Sequence, residues 1–257
     1  MIKTIPSTVI LFIFNSCASY QYSTVSSAGV AQNDKREFVI ENDSLRLVYN
    51  FNGYNAPVNI TIQNKLPVPV YIDWQRSALI VNDKAISYVP AEMRIDGAFH
   101  GSNYNLGNNG SSYGSNSGHI HATASLPPSV DFMPPQTYLT KNPLNITSTF
   151  IENVPETALH REKYMTVEGI TVPVKRATFA ETTSPLRFRS FLTLMVGEPN
   201  TKPFNLEHSF YVSELMTTTT PPLDMHLNST SKGNTFFTKK TNGAAGAVVV
   251  GTLVFGT

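Results

Sequence analysis

Between residues 45 and 89 apolar side chains recur at every second position, and this period constrains the fold more than any other feature. Leu45, Leu47, Tyr49 and Phe51 alternate with Arg46, Val48 and Asn50, and Val58, Ile60 and Ile62 alternate with Asn59, Thr61 and Gln63. Neighbouring side chains of a strand point to opposite faces, so the pattern buries one face and wets the other. Val70–Trp74, Ala78–Val81 and Ala85–Val89 continue the series. Asn52-Gly53, Asn64-Lys65-Leu66-Pro67 and Asn82-Asp83-Lys84 supply turns. Further along, Phe188, Ser190, Leu192, Leu194 and Val196 share one face of a strand, and His208–Leu215 is its expected antiparallel partner. Strands at about ten-residue spacing predict an all-β antiparallel β-sandwich over residues 34–216. Pro155–Tyr164 is the one candidate for a short helix. Tyr164–Val167 and Ile170–Val174 predict a hairpin turning at Glu168-Gly169.

Residues 97–149 break the pattern. Asp131 and Lys141 are the charged residues there, and Gly101–Gly118 is rich in Gly, Asn, Ser and Tyr without an apolar period. The composition predicts a long mobile loop insertion over 101–118. Adaptable binding loops use these residue types, since a tyrosine ring offers contact area at low entropic cost. Tyr104 and Tyr113 are therefore candidate partner-binding residues. Pro127-Pro128 and Pro134-Pro135 flank Val130–Met133 and favour an extended path along a sheet edge.

The N-terminal residues read as an export signal. Lys3 precedes the apolar run Val9–Phe14, which is too short to span a bilayer as a helix. The run meets Asn15-Ser16-Cys17-Ala18-Ser19, and Cys17 is the single cysteine of the chain. This junction resembles the lipobox of bacterial lipoproteins, in which a small residue precedes a lipidated cysteine. With the strand pattern of residues 38–89, the chain resembles Bacteroidota-type lipoproteins that carry an immunoglobulin-like sandwich. The resemblance implies a signal peptide over 1–16, lipidation at Cys17 and a membrane anchor made of acyl chains. An ordinary signal peptide, with Cys17 removed or idle, stays open. Residues 17–33 are expected to be a flexible tether, uncharged and Ser-rich from Ala18 to Gln32. No acidic residue follows Cys17 before Asp34, which favours an outer-membrane lipoprotein on the periplasmic face over the cell surface.

Residues 217–257 form a C-terminal extension ending in the uncharged stretch Thr241–Thr257. This tail admits three roles: a last buried strand, an apolar segment that inserts Val248, Val250 and Phe255 into a partner or membrane, or a glycolipid-anchor signal around Asn242-Gly243-Ala244.

A net charge of +1, with no basic cluster interleaved with aromatics, sets nucleic acid aside. Gly110-Ser111-Ser112-Tyr113-Gly114 matches the G-x-S-x-G elbow of serine hydrolases, but its flanks lack the strand and helix the elbow needs. His119-Ile120-His121, with His100, falls short of a ligand set for a metal. No catalytic residue, metal or cofactor is predicted. Trp74, beside Asp73 and Arg76, could stack a sugar ring or fill the core. The expected function is a non-catalytic envelope lipoprotein acting as a structural or protein-interaction subunit, accessory to an outer-membrane complex. The alternative is a glycan-binding or adhesive module using Trp74 and the tyrosines, with a hydrolase third.

Overall fold

A computed structural model describes residues 17–89, 92–107, 110–125, 130–142, 144–166, 168–198, 201–225 and 232–242. Along them run β1 (Cys17–Ser26), β2 (Ala31–Gln32), β3 (Phe38–Glu41), β4 (Leu45–Asn50), β5 (Gly53–Tyr54), β6 (Asn59–Asn64), β7 (Val70–Val81), β8 (Lys84–Ser87), β9 (Glu92–Gly107), β10 (Gly110–Ser125), β11 (Val130–Met133), β12 (Tyr138–Lys141), β13 (His160–Met165), β14 (Thr171–Thr178), β15 (Arg187–Val196), β16 (Phe204–Thr218) and β17 (Thr235–Asn242).

The inward rows of the alternating segments meet between two sheets, as the period requires. One sheet has the order β12-β6-β4-β3-β2. The other has the path β11-β7-β15-β16-β1-β17-β5, with β8 on β7 and the β13–β14 hairpin on β16. The pairings are antiparallel except for β17 with β5. Leu47, Tyr49, Ile60 and Ile62 of one sheet and Ile72, Trp74, Leu192, Leu194 and Val212 of the other are buried in a shared core. At its centre Phe38, Tyr49, Phe51 and Phe188 surround Phe210, with ring centroids 5.0–5.5 Å from it. Aromatic pairs at such separations add to the hydrophobic gain of burial. The all-β antiparallel sandwich is thus the fold of the chain.

Four expectations are corrected. Residues 17–26 are not tether but strand β1, lying between β16 and β17 and bonded to both. Its inward residues Gln21 and Ser23 are polar, which hid the strand, and Gln21 is satisfied by the backbone of Ile151: N–H to Oε1 at 2.7 Å, and Nε2–H to the carbonyl at 3.2 Å. β17 likewise carries the sandwich past residue 216, so the domain is wider than 34–216. Residues 101–107 and 110–118 are not loop; they belong to β9 and β10. Pro155–Tyr164 forms a single 3-10 turn, Glu156–Ala158, and then enters β13, because pairing with β14 satisfies a backbone that a helix this short could not.

The β13–β14 hairpin turns at Glu168-Gly169, where Gly169 has φ +78°, open to glycine at little steric cost. β11 sits on the sheet edge between its prolines. Residues 1–16 and the tail residues Val248, Val250 and Phe255 lie outside the described residues.

Candidate functional site

β9 and β10 form a ribbon of their own. Sixteen residues of each run in register, from Glu92 opposite Ser125 to Gly107 opposite Gly110, and among the described residues the two strands pair only with each other. At ~3.4 Å per residue the ribbon is about 50 Å long. Its charged residues, Glu92, Arg94 and Asp96, all lie at the base. Natural sheet edges are usually blunted by charge, proline or cover; the outer part of this ribbon has none of the first two. A lone two-stranded ribbon is marginally stable in water. Tyr104 and Tyr113 are register partners near its turn.

The base is held by an irregularity in β7. Between the pairs Phe191–Ala78 and Thr193–Asp73, β7 carries four residues, Trp74–Ser77, against Leu192 alone. The Ser77 hydroxyl donates to the Asp73 carbonyl at 2.6 Å and accepts from the Thr193 N–H at 2.9 Å, closing the bulge. Bulges of this kind re-aim side chains. Here Trp74 turns fully into the core. Tyr88, just before the ribbon, meets the Trp74 ring edge-on at 5.8 Å, donates its hydroxyl proton to Ser190 Oγ at 2.8 Å, and donates its N–H to the Ser77 carbonyl. On the return side Val130 pairs with Asp73. Burial pushes the Tyr88 hydroxyl pKa well up, so it stays a donor.

Trp74 is fully buried, so its ring packs in the core and is not presented to stack a sugar. Asp73 and Arg76 pair with each other at 3.5 Å beside the bulge. The G-x-S-x-G match runs through β10, with Ser112 opposite Asn105, and not through a strained strand-to-helix elbow. His100 and His119 sit opposite Ser117 and Ala98 in the ribbon, and His121 opposite Asp96. Among the described residues no group of three or more His, Cys, Asp or Glu is placed to hold a metal.

Cys17 opens β1 in register with Asn242, the last residue of β17. Residues 17 and 242 therefore lie side by side on adjacent strands at one end of the sandwich. Sequence reasoning missed this juxtaposition. No local signal pairs residue 17 with residue 242.

No protein-family model matches the chain, and no curated protein matches its sequence. A functional reading rests on the geometry alone.

Proposed function

We propose that the chain is an exported, lipid-anchored envelope protein of the periplasmic face of the outer membrane, acting as a non-catalytic interaction subunit through its β9–β10 ribbon. What carries the proposal is the ribbon itself: a long pair of strands, uncharged beyond its base, whose outer edges pair with no other strand among the described residues. Strand addition to such an edge gives affinity through main-chain hydrogen bonds. It would also supply the stability that two strands lack alone. The sandwich acts as the mount, and the Trp74–Tyr88–Ser190 contacts fix the ribbon's root. A glycan-binding role would have to use Tyr104 and Tyr113, since Trp74 is buried.

The test replaces Gly97–Ile120 by an Asn-Gly turn, leaving the root intact. Protein purified from membranes in mild detergent should bring down a stoichiometric partner, and a photocrosslinker at Tyr113 should join to it. The shortened chain should keep its thermal midpoint and lose the partner. An unchanged set of co-eluting proteins, or a ribbon-dependent midpoint with no crosslink, sinks the proposal.

A further inference from the structure

The end of the sandwich at Cys17 carries more than two chain exits. Strand registers place several other segments at the same level. Tyr20 pairs with Thr218, so β16 ends where β1 begins. Lys175 pairs with Thr217, so the start of β14 projects past the end of β16 on its other side. Met165 pairs with Thr171, putting the tip of the β13–β14 hairpin at the same end. The turn after β16 is held there too: the Tyr22 hydroxyl donates to the Thr220 carbonyl at 2.7 Å, and Met225 is buried against Tyr22, Val174 and Met216. At 4.8 Å between neighbouring strands, Cys17 and Thr171 stand ~10 Å apart across β16.

The side chains at this end are sorted by depth. Three large apolar residues of the hairpin tip and of the turn after β16 are exposed: Met165 (69%), Ile170 (56%) and Leu223 (72%). Two to four residue pairs behind the Met165–Thr171 pair lies a belt of exposed cations, Arg161, Lys163, Lys175, Lys239 and Lys240. Arg161 is opposite Lys175 on one side, and Lys239 and Lys240 are opposite Tyr20 and Ser19 on the other. Carboxylates are present as well. Glu162 turns to Arg176 at 2.8 Å, Glu152 pairs with Lys240 at 3.2 Å, and Glu168 and Asp224 are exposed. Between the two sides of the belt a groove of about 450 Å³ runs past Ser19, Arg161, Pro173, Lys175 and Thr218.

We propose that this end is a membrane-docking face that lies flat on a lipid bilayer, with Met165, Ile170 and Leu223 in the headgroup–acyl boundary and the lysine–arginine belt against lipid phosphates. Apolar tips with long cationic side chains just behind them match the depth profile of an interface: acyl chains at the boundary, anionic groups above it. Five exposed cations behind exposed apolar tips fit an anionic lipid surface better than a protein occupant. With β1 beginning at Cys17 there is no tether, so an anchor on that residue would draw the hairpin tip onto the surface. The ribbon's root lies at β7, two strands away from β16 in the sheet. This proposal rests on the lipid-anchor part of the function above and specifies its geometry.

The experiment uses the full chain with Cys17→Ala and one new cysteine, Met165→Cys, Ile170→Cys or Leu223→Cys, each labelled with an environment-sensitive fluorophore; Ser44→Cys is the control. Vesicles of phosphatidylcholine containing one third phosphatidylglycerol should blue-shift the three labels and leave the Ser44 label unchanged. Lys163→Glu with Lys175→Glu should weaken binding at least fivefold on these vesicles and little on pure phosphatidylcholine. Labels at 165, 170 and 223 that stay in water, or a shift caused by self-association in sedimentation without lipid, overturn the proposal. The mass of Cys17 in the natural protein separates the two ideas. Acylated Cys17 with water-exposed labels leaves the anchor and removes the docking face; bare Cys17 with buried labels does the reverse.

Discussion

Trp74 Nε1–H donates to Asp131 Oδ2 at 2.7 Å, and Lys141 Nζ–H reaches the same oxygen at 2.7 Å while standing 4.8 Å over the indole ring. Asp131 belongs to β11 and Lys141 to β12, which lie in different sheets. One carboxylate thus closes the sandwich edge beneath the ribbon root. Asp131→Ala leaves a buried indole N–H without its partner and should cost about 1–3 kcal/mol. Lys141→Ala, at a half-exposed ion pair, should cost about 0.5–1 kcal/mol. Trp74 is the single tryptophan, so its fluorescence in a urea titration reads both variants. Equal costs for the two would argue against the indole bond as the larger contribution.

Cutting away the residues expected to be tether should unfold the domain. β1 is bonded on both sides, and Val25 is fully buried in the core. A chain starting at residue 34 should show no cooperative thermal transition by circular dichroism. The milder Gln21→Ala strands the N–H and carbonyl of Ile151 and should cost about 1–3 kcal/mol. A folded, cooperative truncated chain would show that β1 is dispensable.

Gly233 is pressed against Glu37. A Cβ there would stand 2.5 Å from Glu37 Cγ and 2.9 Å from its Cα, and the second of these is backbone that cannot swing aside. The same residue donates its N–H to the Lys35 carbonyl at 2.8 Å and accepts from the Phe51 N–H at 2.6 Å, so it cannot withdraw cheaply. Gly233→Ala should cost about 1–3 kcal/mol through overpacking. At 2–4 °C per kcal/mol for a chain of this size, the thermal midpoint should fall by roughly 3–10 °C.

Acid should weaken the fold in two stages. His208 sits half-buried with Nδ1 3.1 Å from the Tyr49 hydroxyl. Burial, which outweighs the opposing Glu207, holds its pKa below the ordinary value of 6.5. The unfolded chain then takes up a proton that the folded chain refuses, so stability is complete above 6.5 and drains as pH falls from there through the depressed value. Burial would raise the Glu37 carboxyl, but hydrogen bonds from Asn33 and Asn50, both at 2.9 Å, lower it on balance below 4.5. Its contribution is therefore present above 4.5 and lost below. Thermal midpoints from pH 8 to pH 3 should decline in both windows. His208→Gln should flatten the first and Glu37→Gln the second; an unaltered slope between pH 7 and 5 in His208→Gln would exclude its part.

Two-residue periodicity made the core legible. Ile60 and Ile62 face inward because a strand allows them nothing else once Thr61 and Gln63 are wet. The Asn82-Asp83 turn, with φ +46° and +65°, was readable because asparagine and aspartate tolerate that backbone. The ribbon was not legible: no row of alternating apolar residues marks it, and Gly, Asn and Ser read as loop. β1 escaped because its inward residue Gln21 bonds a backbone 130 positions away.

By itself, then, the order of residues determined which faces turn inward and where the chain reverses, since both depend on neighbours within a few positions. Tertiary structure alone decided what lies opposite each face. It set Trp74 inward at a bulge, paired β9 with β10 over sixteen residues, and brought Cys17 beside Asn242. Such pairings join distant segments whose energies appear only once the two sheets have met, and no local pattern encodes them.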